Sequence, residues 1–391
     1  MACPACCLEM FKGKPYHGFY RASDLSPVEN ILHMARAVKL SSFRALKVVP
    51  TAMIALTLAN ELSPVFDKMQ AHLHAFHVDT NIPLLAKNVQ FDFETGTAVE
   101  GSFESGAQFR IVSVSHVYYR CFELLCSNCI QRIVIIFTTH ANPDDGGLHF
   151  SPAKNTLGFS NTVCNVLEFV FPPDLRQFVQ RQNVDSSLFI MTCGAAFTVK
   201  ESFDSFTHLA KCFDRMVAFP SRDMQPLDTA PFCNAFITQV LLQDGGGGGV
   251  SRTFQSICRD HPSLGAHANI LVWHYKESSD GVPQLQITQG LWLHEINAPC
   301  GVRITEIMCR FCHVMRKRTV TVEQPSLHSG ERRLVLTCDA GIQRCPRLYL
   351  VLTGLHARAK IGPRVPSGDW IIGPFKWGCS VYEDDFAVAP V

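Results

Sequence analysis

The sequence predicts an α/β protein with a mostly parallel sheet, helices on its faces, and a smaller β-rich, cysteine-containing module at its C-terminal end. Three observations predict it. Arg132–His140 (RIVIIFTTH) and Ser186–Gly194 (SSLFIMTCG) are apolar runs of β-formers ending in small polar residues, the pattern of strands buried on both faces. Segments with helical patterning separate such runs, and strand–helix alternation argues for parallel pairing through crossover helices. Five consecutive glycines, Gly245–Gly249, then interrupt the chain, and beyond them come short strand-like segments, turns and cysteine pairs.

The bulk numbers set bounds on what the chain can be. At 391 residues, two or three domains are expected. A hydrophobic content of 47% supplies a sizeable core, and a net charge of +1 excludes global electrostatic steering toward nucleic acid. The 17 cysteines are an odd number in a long chain, unlike a secreted disulfide scaffold. Cys121, Cys126, Cys129 and Cys164 lie in apolar runs and read as small buried hydrophobes. There is no pattern of a signal peptide, and the best apolar run, Ala52–Ala59, is too short to span a bilayer. The expectation is a soluble protein of the cytoplasm, with the nucleus as the alternative, and no membrane partner.

Taken in order, residues 1–90 read as a mainly helical region. Cys3, Cys6 and Cys7 open it. Ser26 is a reasonable N-cap before Pro27, and Pro50 and Pro64 punctuate helices across Ser26–Phe76. His74 and His77 would share a helix face, most simply as a solvated rim. Residues 91–243 form the expected α/β domain. Alternation and Gly96, Gly101 and Gly106 mark hairpins up to Ser115. A helix over His116–Cys129 leads into the strand before His140. Then come a helix at Asp174–Gln182, the strand before Cys193, a helix at Ser202–Cys212, a strand at Arg215–Pro220 and a helix at Ala230–Leu242. Residues 244–252 are the linker. Residues 253–391 are β-rich, with strands at Asn269–Tyr275, Gln284–Ile287, Arg318–Val322, Arg333–Thr337 and Leu348–Leu352.

In open parallel sheets ligands bind beyond the carboxyl ends of the strands. Two such ends carry His140 and Cys193, and a thiol becomes a nucleophile when a base favours its thiolate. The two are 53 residues apart, close to the caspase spacing of about 50. These runs, together with Arg215–Pro220 and the helix around Phe232–Leu242, resemble the caspase–haemoglobinase fold over residues 105–243, most nearly its CHAT-type branch. The resemblance implies a cysteine endopeptidase acting on a protein substrate, with His140 as base, Cys193 as nucleophile and the backbone at Gly194 near the oxyanion. The chain has Met191-Thr-Cys-Gly-Ala195 where caspases have Gln-Ala-Cys-Arg-Gly. The rival from another class is therefore an inactive caspase-like scaffold acting as an interaction or nucleic-acid-associated module through its C-terminal domain. A further reading groups His140 with Asp144 and Asp145 around a divalent metal, although Pro143–Gly147 also suits a simple turn.

The C-terminal region adds a metal expectation. Cys309 and Cys312 are spaced as one zinc knuckle, and Cys338 and Cys345 are a wider second pair. One structural zinc on these four is expected, with His313 or Cys300 as substitutes. Residues 301–364 carry 12 Lys and Arg against 4 Asp and Glu. That surplus suits nucleic-acid phosphates, but a solvated basic face is the simpler reading.

Overall fold

The structure is a computed structural model. It describes residues 46–383 except 59–62, 79, 93–96, 102–109, 114–122, 143–144, 152–158, 193, 222–223, 244–248, 278–279, 303–317, 324–331, 339–347, 353, 360–361, 363–367 and 376–380.

A ten-stranded sheet organises these residues, and β6 (Leu148–Ser151) and β7 (Phe159–Asn161) form a separate two-stranded antiparallel sheet. The parallel centre of the ten-stranded sheet has the order β2 (Leu84–Asp92), β1 (Thr51–Leu58), β5 (Arg132–Thr138), β8 (Asp185–Met191) and β9 (Arg215–Ala218). Antiparallel strands extend both edges: β3 (Thr97–Gly101) and β4 (Arg110–Ser113) beside β2, and β10 (Ile270–Glu277), β11 (Pro283–Leu293) and β15 (Asp369–Pro374) beside β9. The expected α/β architecture, parallel at its core and flanked by helices, is present.

Its strands read as apolar on both faces because both faces are covered. Ile133, Ile135 and Phe137 of β5 enter one core. Val134 and Ile136 enter the other. Three helices cover the first face: α2 (Val163–Val170), α3 (Pro173–Val179) and α4 (Lys200–Ala210). The second face carries α1 (Pro64–His77), α5 (Pro226–Phe236) with a π-helical continuation Ile237–Leu242, and α6 (Gly249–Asp260). Pro64 starts α1 where its missing N–H costs nothing, and Val65, Met69 and Leu73 form its buried stripe.

The structure departs from the sequence reading in three places. Thr51–Leu58, expected within helices, is a strand buried at every residue. Its Ala, Met and Leu content has no alternation because it is a central parallel strand, and a short apolar run does not distinguish strand from buried helix. Second, the sheet does not stop at the glycine run. Leu271 of β10 pairs with Ala218 of β9, and Phe254, Ile257 and Cys258 of α6 enter the second core. Strands thus join one sheet from both sides of the boundaries drawn at 91 and 244–252. Third, Cys126, Cys129 and Cys164 are exposed, not buried. Cys121 lies outside the described residues.

Beyond the large sheet, β12 (Arg318–Glu323), β13 (Arg332–Cys338), β14 (Leu348–Leu352) and β16 (Val381–Glu383) form the expected C-terminal β-rich element, a four-stranded antiparallel sheet. Leu334, Leu336, Leu350 and Leu352 pack with Leu293 and Cys300 in a third core.

Candidate active site at the strand ends

The chain order reverses between β1 and β5. From β1 it moves outward to β2, and it returns on the other side of β1 to lay down β5, β8 and β9 in succession. The covering helices switch faces at the same point, α1 lying on one side and α2 to α4 on the other. A reversal of this kind opens a crevice beyond the carboxyl ends of the strands. His140, two residues past the end of β5, stands there and is exposed.

The neighbouring strand is in register with it. Thr138 pairs with Met191, and the Thr139 N–H donates to the Met191 carbonyl at 3.2 Å. Thr138 and Met191 share the α5 face of the sheet, where the Thr229 hydroxyl donates to the Met191 sulfur at 3.6 Å. Positions 140 and 193 each follow these partners by two residues. Position 193 itself lies outside the described residues.

Each strand end is anchored by the loop that leaves it. The His140 carbonyl accepts from His149 N–H at 2.9 Å, the Thr139 hydroxyl donates to the His149 carbonyl at 2.7 Å, and the two imidazole rings are 6.1 Å apart between centroids. Asn142 N–H donates to the Gly147 carbonyl at 2.7 Å, and Asp145 Oδ1 accepts from Gly147 N–H at 2.8 Å, an Asx turn. That bond engages Asp145 in loop structure, in line with the turn reading of Pro143–Gly147. Asp144 lies outside the described residues.

Gly146 brings the two loops together. Its φ is +71°, and a Cβ there would come within 2.9 Å of the Ala195 carbonyl oxygen. The loop after His140 therefore rests backbone to backbone against the turn Gly194–Phe197. In the sequence Gly146 stands out only as part of the turn Pro143–Gly147. The Gly194 N–H, expected near an oxyanion, donates to the Ser221 carbonyl at 2.8 Å and ties this turn to the chain leaving β9.

Three further residues at these strand ends were missed in the sequence. The hydroxyls of Thr57 near the end of β1, Thr192 after β8 and Ser221 after β9 are buried and have no hydrogen-bond partner among the described residues. An unpaired buried hydroxyl costs about 1–3 kcal/mol, so it calls for an explanation. Lone Ser and Thr in a sequence carry no signal of this. Beside the site, a groove of about 520 Å³ runs between Asp145, Asn161, Cys164, Val199 and Glu201.

Of the expected zinc ligands, Cys309, Cys312 and Cys345 lie outside the described residues, and Cys338 is described only as the last residue of β13. His313 also lies outside them. Cys300 is buried, with its thiol pushed up by burial, and its carbonyl accepts from His356 Nδ1 at 3.0 Å. No group of three or more His, Cys, Asp or Glu able to hold a metal occurs among the described residues. Within the basic surplus, Arg332 donates to the carbonyls of Ala357 and Ala359. His74 is exposed, while His77 is buried with Nδ1–H donating to the Ile82 carbonyl at 3.1 Å. No helix among the described residues is long and apolar enough to cross a membrane.

No family model and no curated protein matches the chain. Solved structures similar to it include a secreted C11 cysteine protease from Bacteroides thetaiotaomicron in complex with an irreversible peptide inhibitor. That likeness has 10% identity and a TM-score of 0.31, and covers 57% of this chain and 66% of that one. A second structure, of the secreted C11 cysteine protease from the same organism called iotapain, gives 10% identity and a TM-score of 0.30, covering 58% and 67%.

Proposed function

We propose that the chain is a caspase-like cysteine endopeptidase acting on protein substrates, with His140 as base and Cys193 as nucleophile. The observation that carries this reading is the placement of His140 at the switch point, on a strand whose parallel neighbour runs in register into position 193. In the proposed reaction His140 takes the thiol proton, the thiolate attacks the scissile carbonyl, and the imidazolium returns the proton to the leaving amine. Water then releases the acyl group by the same proton path. The Gly146–Ala195 contact supports the reading, because it couples the base's loop to the nucleophile's turn. So does the groove of about 520 Å³ beside them, lined by Asp145 of the same loop.

The test is labelling with a peptidyl thiol-reactive electrophile, read by mass spectrometry. Cys193 is expected to react faster than the exposed thiols Cys126, Cys129 and Cys164, and to lose that advantage in His140→Ala. Cys193→Ala is expected to lower cleavage of a protein substrate by a factor on the order of 10⁴ or more without changing thermal stability. Equal labelling of Cys193 and Cys164 would sink the peptidase reading. One observation favours the second reading, a caspase-like scaffold without activity. The Gly194 N–H is engaged by Ser221, which takes a backbone donor away from an oxyanion. Under that reading Cys193→Ala leaves the protein's cellular effect intact. We also carry the zinc of Cys309, Cys312, Cys338 and Cys345 as a proposal resting on ligand type and spacing. Elemental analysis of protein purified without chelator tests it, with one zinc per chain expected.

A further inference from the structure

The turn that feeds β5 carries two of the exposed free cysteines, Cys126 and Cys129, separated by Ser127 and Asn128. A short helix over residues 123–127 ends there. Ile130 N–H donates to the Leu125 carbonyl and Cys129 N–H to the Cys126 carbonyl, both at 3.4 Å. This is the paired bonding of a Schellman C-cap, and the buried side chains of Leu125 and Ile130 are the apolar pair that accompanies it. The residue such a cap places in the left-handed region is usually Gly, sometimes Asn. Here it is Cys129, with φ at +49°.

A Cβ in that conformation is a local strain, and strain that persists points toward a use for the side chain. A hydrogen-bonded turn of four residues holds its end Cα atoms within about 7 Å, the range that a disulfide spans. Arg181 Nη1 donates to the Cys126 sulfur at 3.8 Å, with its guanidinium 4.8 Å from the centroid of the Phe178 ring. The pair is thus exposed, close in space and served by a cation. Cys164, the other exposed thiol described, sits alone on α2 against Glu168.

We propose that Cys126 and Cys129 are a thiol–disulfide exchange site for low-molecular-weight disulfides. The Cys126 thiolate attacks one sulfur of the small disulfide, forming a mixed disulfide and expelling one small thiolate. The Cys129 thiolate then attacks the Cys126 sulfur, closing the Cys126–Cys129 bond and expelling the second. The protein dithiol loses two electrons and two protons, and the small disulfide gains them as two thiols. The site lies at the N-terminal end of β5, the end opposite His140, so its chemistry is independent of the peptidase reading.

Full-length protein equilibrated in buffers of oxidised and reduced glutathione, quenched by alkylation and digested with trypsin, tests this on the peptide Cys121–Arg132. In oxidising buffer that peptide is expected two hydrogens lighter, with no backbone fragments between positions 126 and 129, while Cys164 carries glutathione. Cys129→Gly, which suits the left-handed position and so is expected to fold, should convert the product to glutathione on Cys126. The proposal is overturned if Cys126 and Cys129 each carry glutathione or alkyl groups to the extent that Cys164 does. It is equally overturned if fragmentation places the bond at Cys121.

Discussion

The two ends of the parallel sheet are built from the same strands and solve different problems. At the N-terminal end, the guanidinium of Arg132, the first residue of β5, is 2% exposed. It donates to Asp185 Oδ2 at 3.2 Å, to the Lys47 carbonyl at 3.2 Å and to the Leu241 carbonyl at 2.7 Å. Asp185 also pairs with Arg215. One charged centre therefore fastens the entry to β1, the starts of β5, β8 and β9, and the end of the π-helical turn. At the C-terminal end the groups at the strand tips are His140, Thr57, Thr192 and Ser221, and the three hydroxyls have no partner among the described residues. The other end also has atoms without a partner among the described residues, Ser187 Oγ and His77 Nε2, so the contrast lies in charge and closure. A buried charge with fixed donors holds strands in place. The three tip hydroxyls leave bonding capacity for something that arrives.

The largest effect should follow from opening the charged end. Arg132→Ala leaves Asp185 and two carbonyls short of a donor. Removing one partner of a buried pair costs about 3–5 kcal/mol. Thermal or urea unfolding measures it, and a loss below about 1 kcal/mol, the worth of a surface pair, would erase the contrast drawn between the two ends.

Gly146→Ala tests the other end. The left-handed φ costs about 1–3 kcal/mol for a residue with a Cβ, and the added methyl meets the Ala195 carbonyl. If the loops of His140 and position 193 work as one unit, substrate cleavage should fall further than the shift in unfolding midpoint accounts for. Parallel losses in both would mean that Gly146 serves stability alone.

Acid should be felt at the charged end. Burial, helped by Arg132 and His74, holds the His77 imidazole below its usual range. The unfolded chain then takes up protons near pH 6.5 while the folded chain resists. Stability is present above that pH and declines as pH falls below it, by at most about 1.4 kcal/mol per pH unit from one such group. At Asp185 burial pushes the carboxyl up, but Arg215 and Arg132 outweigh burial and hold it below the usual carboxylate range. Its contribution is present above about pH 3.9, the ordinary aspartate value, and is lost below. Unfolding midpoints at pH 7 and pH 5 should therefore differ, and His77→Gln should reduce the difference.

Thr57→Val should give the smallest effect, of opposite sign. A methyl of the same shape replaces a buried hydroxyl with no partner among the described residues, which is expected to be neutral or to stabilise by about 1 kcal/mol. If the hydroxyl serves a substrate, cleavage falls while the unfolding midpoint rises. A stability loss would show instead that Thr57 is bonded within the fold.

Much of this was legible in one dimension. The runs 132–138 and 185–191 announce buried strands because parallel strands covered on both faces need apolar residues at every position. His140 and the residues at 193–194 stand where such strands end, so their candidacy follows from the same pattern. Thr51–Leu58 was illegible because eight residues of Ala, Met, Ile, Leu and Thr suit a buried helix as well as a buried strand. The role of β10, β11 and β15 was hidden by the glycine run, which marks a break in the chain and says nothing of where the chain goes next. The exposed Cys126 and Cys129 were read as buried because their neighbours are apolar, whereas a helix end buries Leu125 and Ile130 and turns the cysteines outward.

Local pattern is enough for the α/β class, for the central strands β5, β8 and β9, and for the residues at their tips. Those follow from local composition and from which side chains tolerate full burial. Long-range packing puts β1 between β2 and β5, which sets the switch point, and brings β10, β11 and β15 in to complete the sheet. The same packing sets Gly146 against Ala195, closes the N-terminal end with Arg132 and Asp185, and leaves Thr57, Thr192 and Ser221 unpaired among the described residues. Each of these joins residues far apart in the chain, and such contacts depend on strand order and packing, which no local pattern encodes.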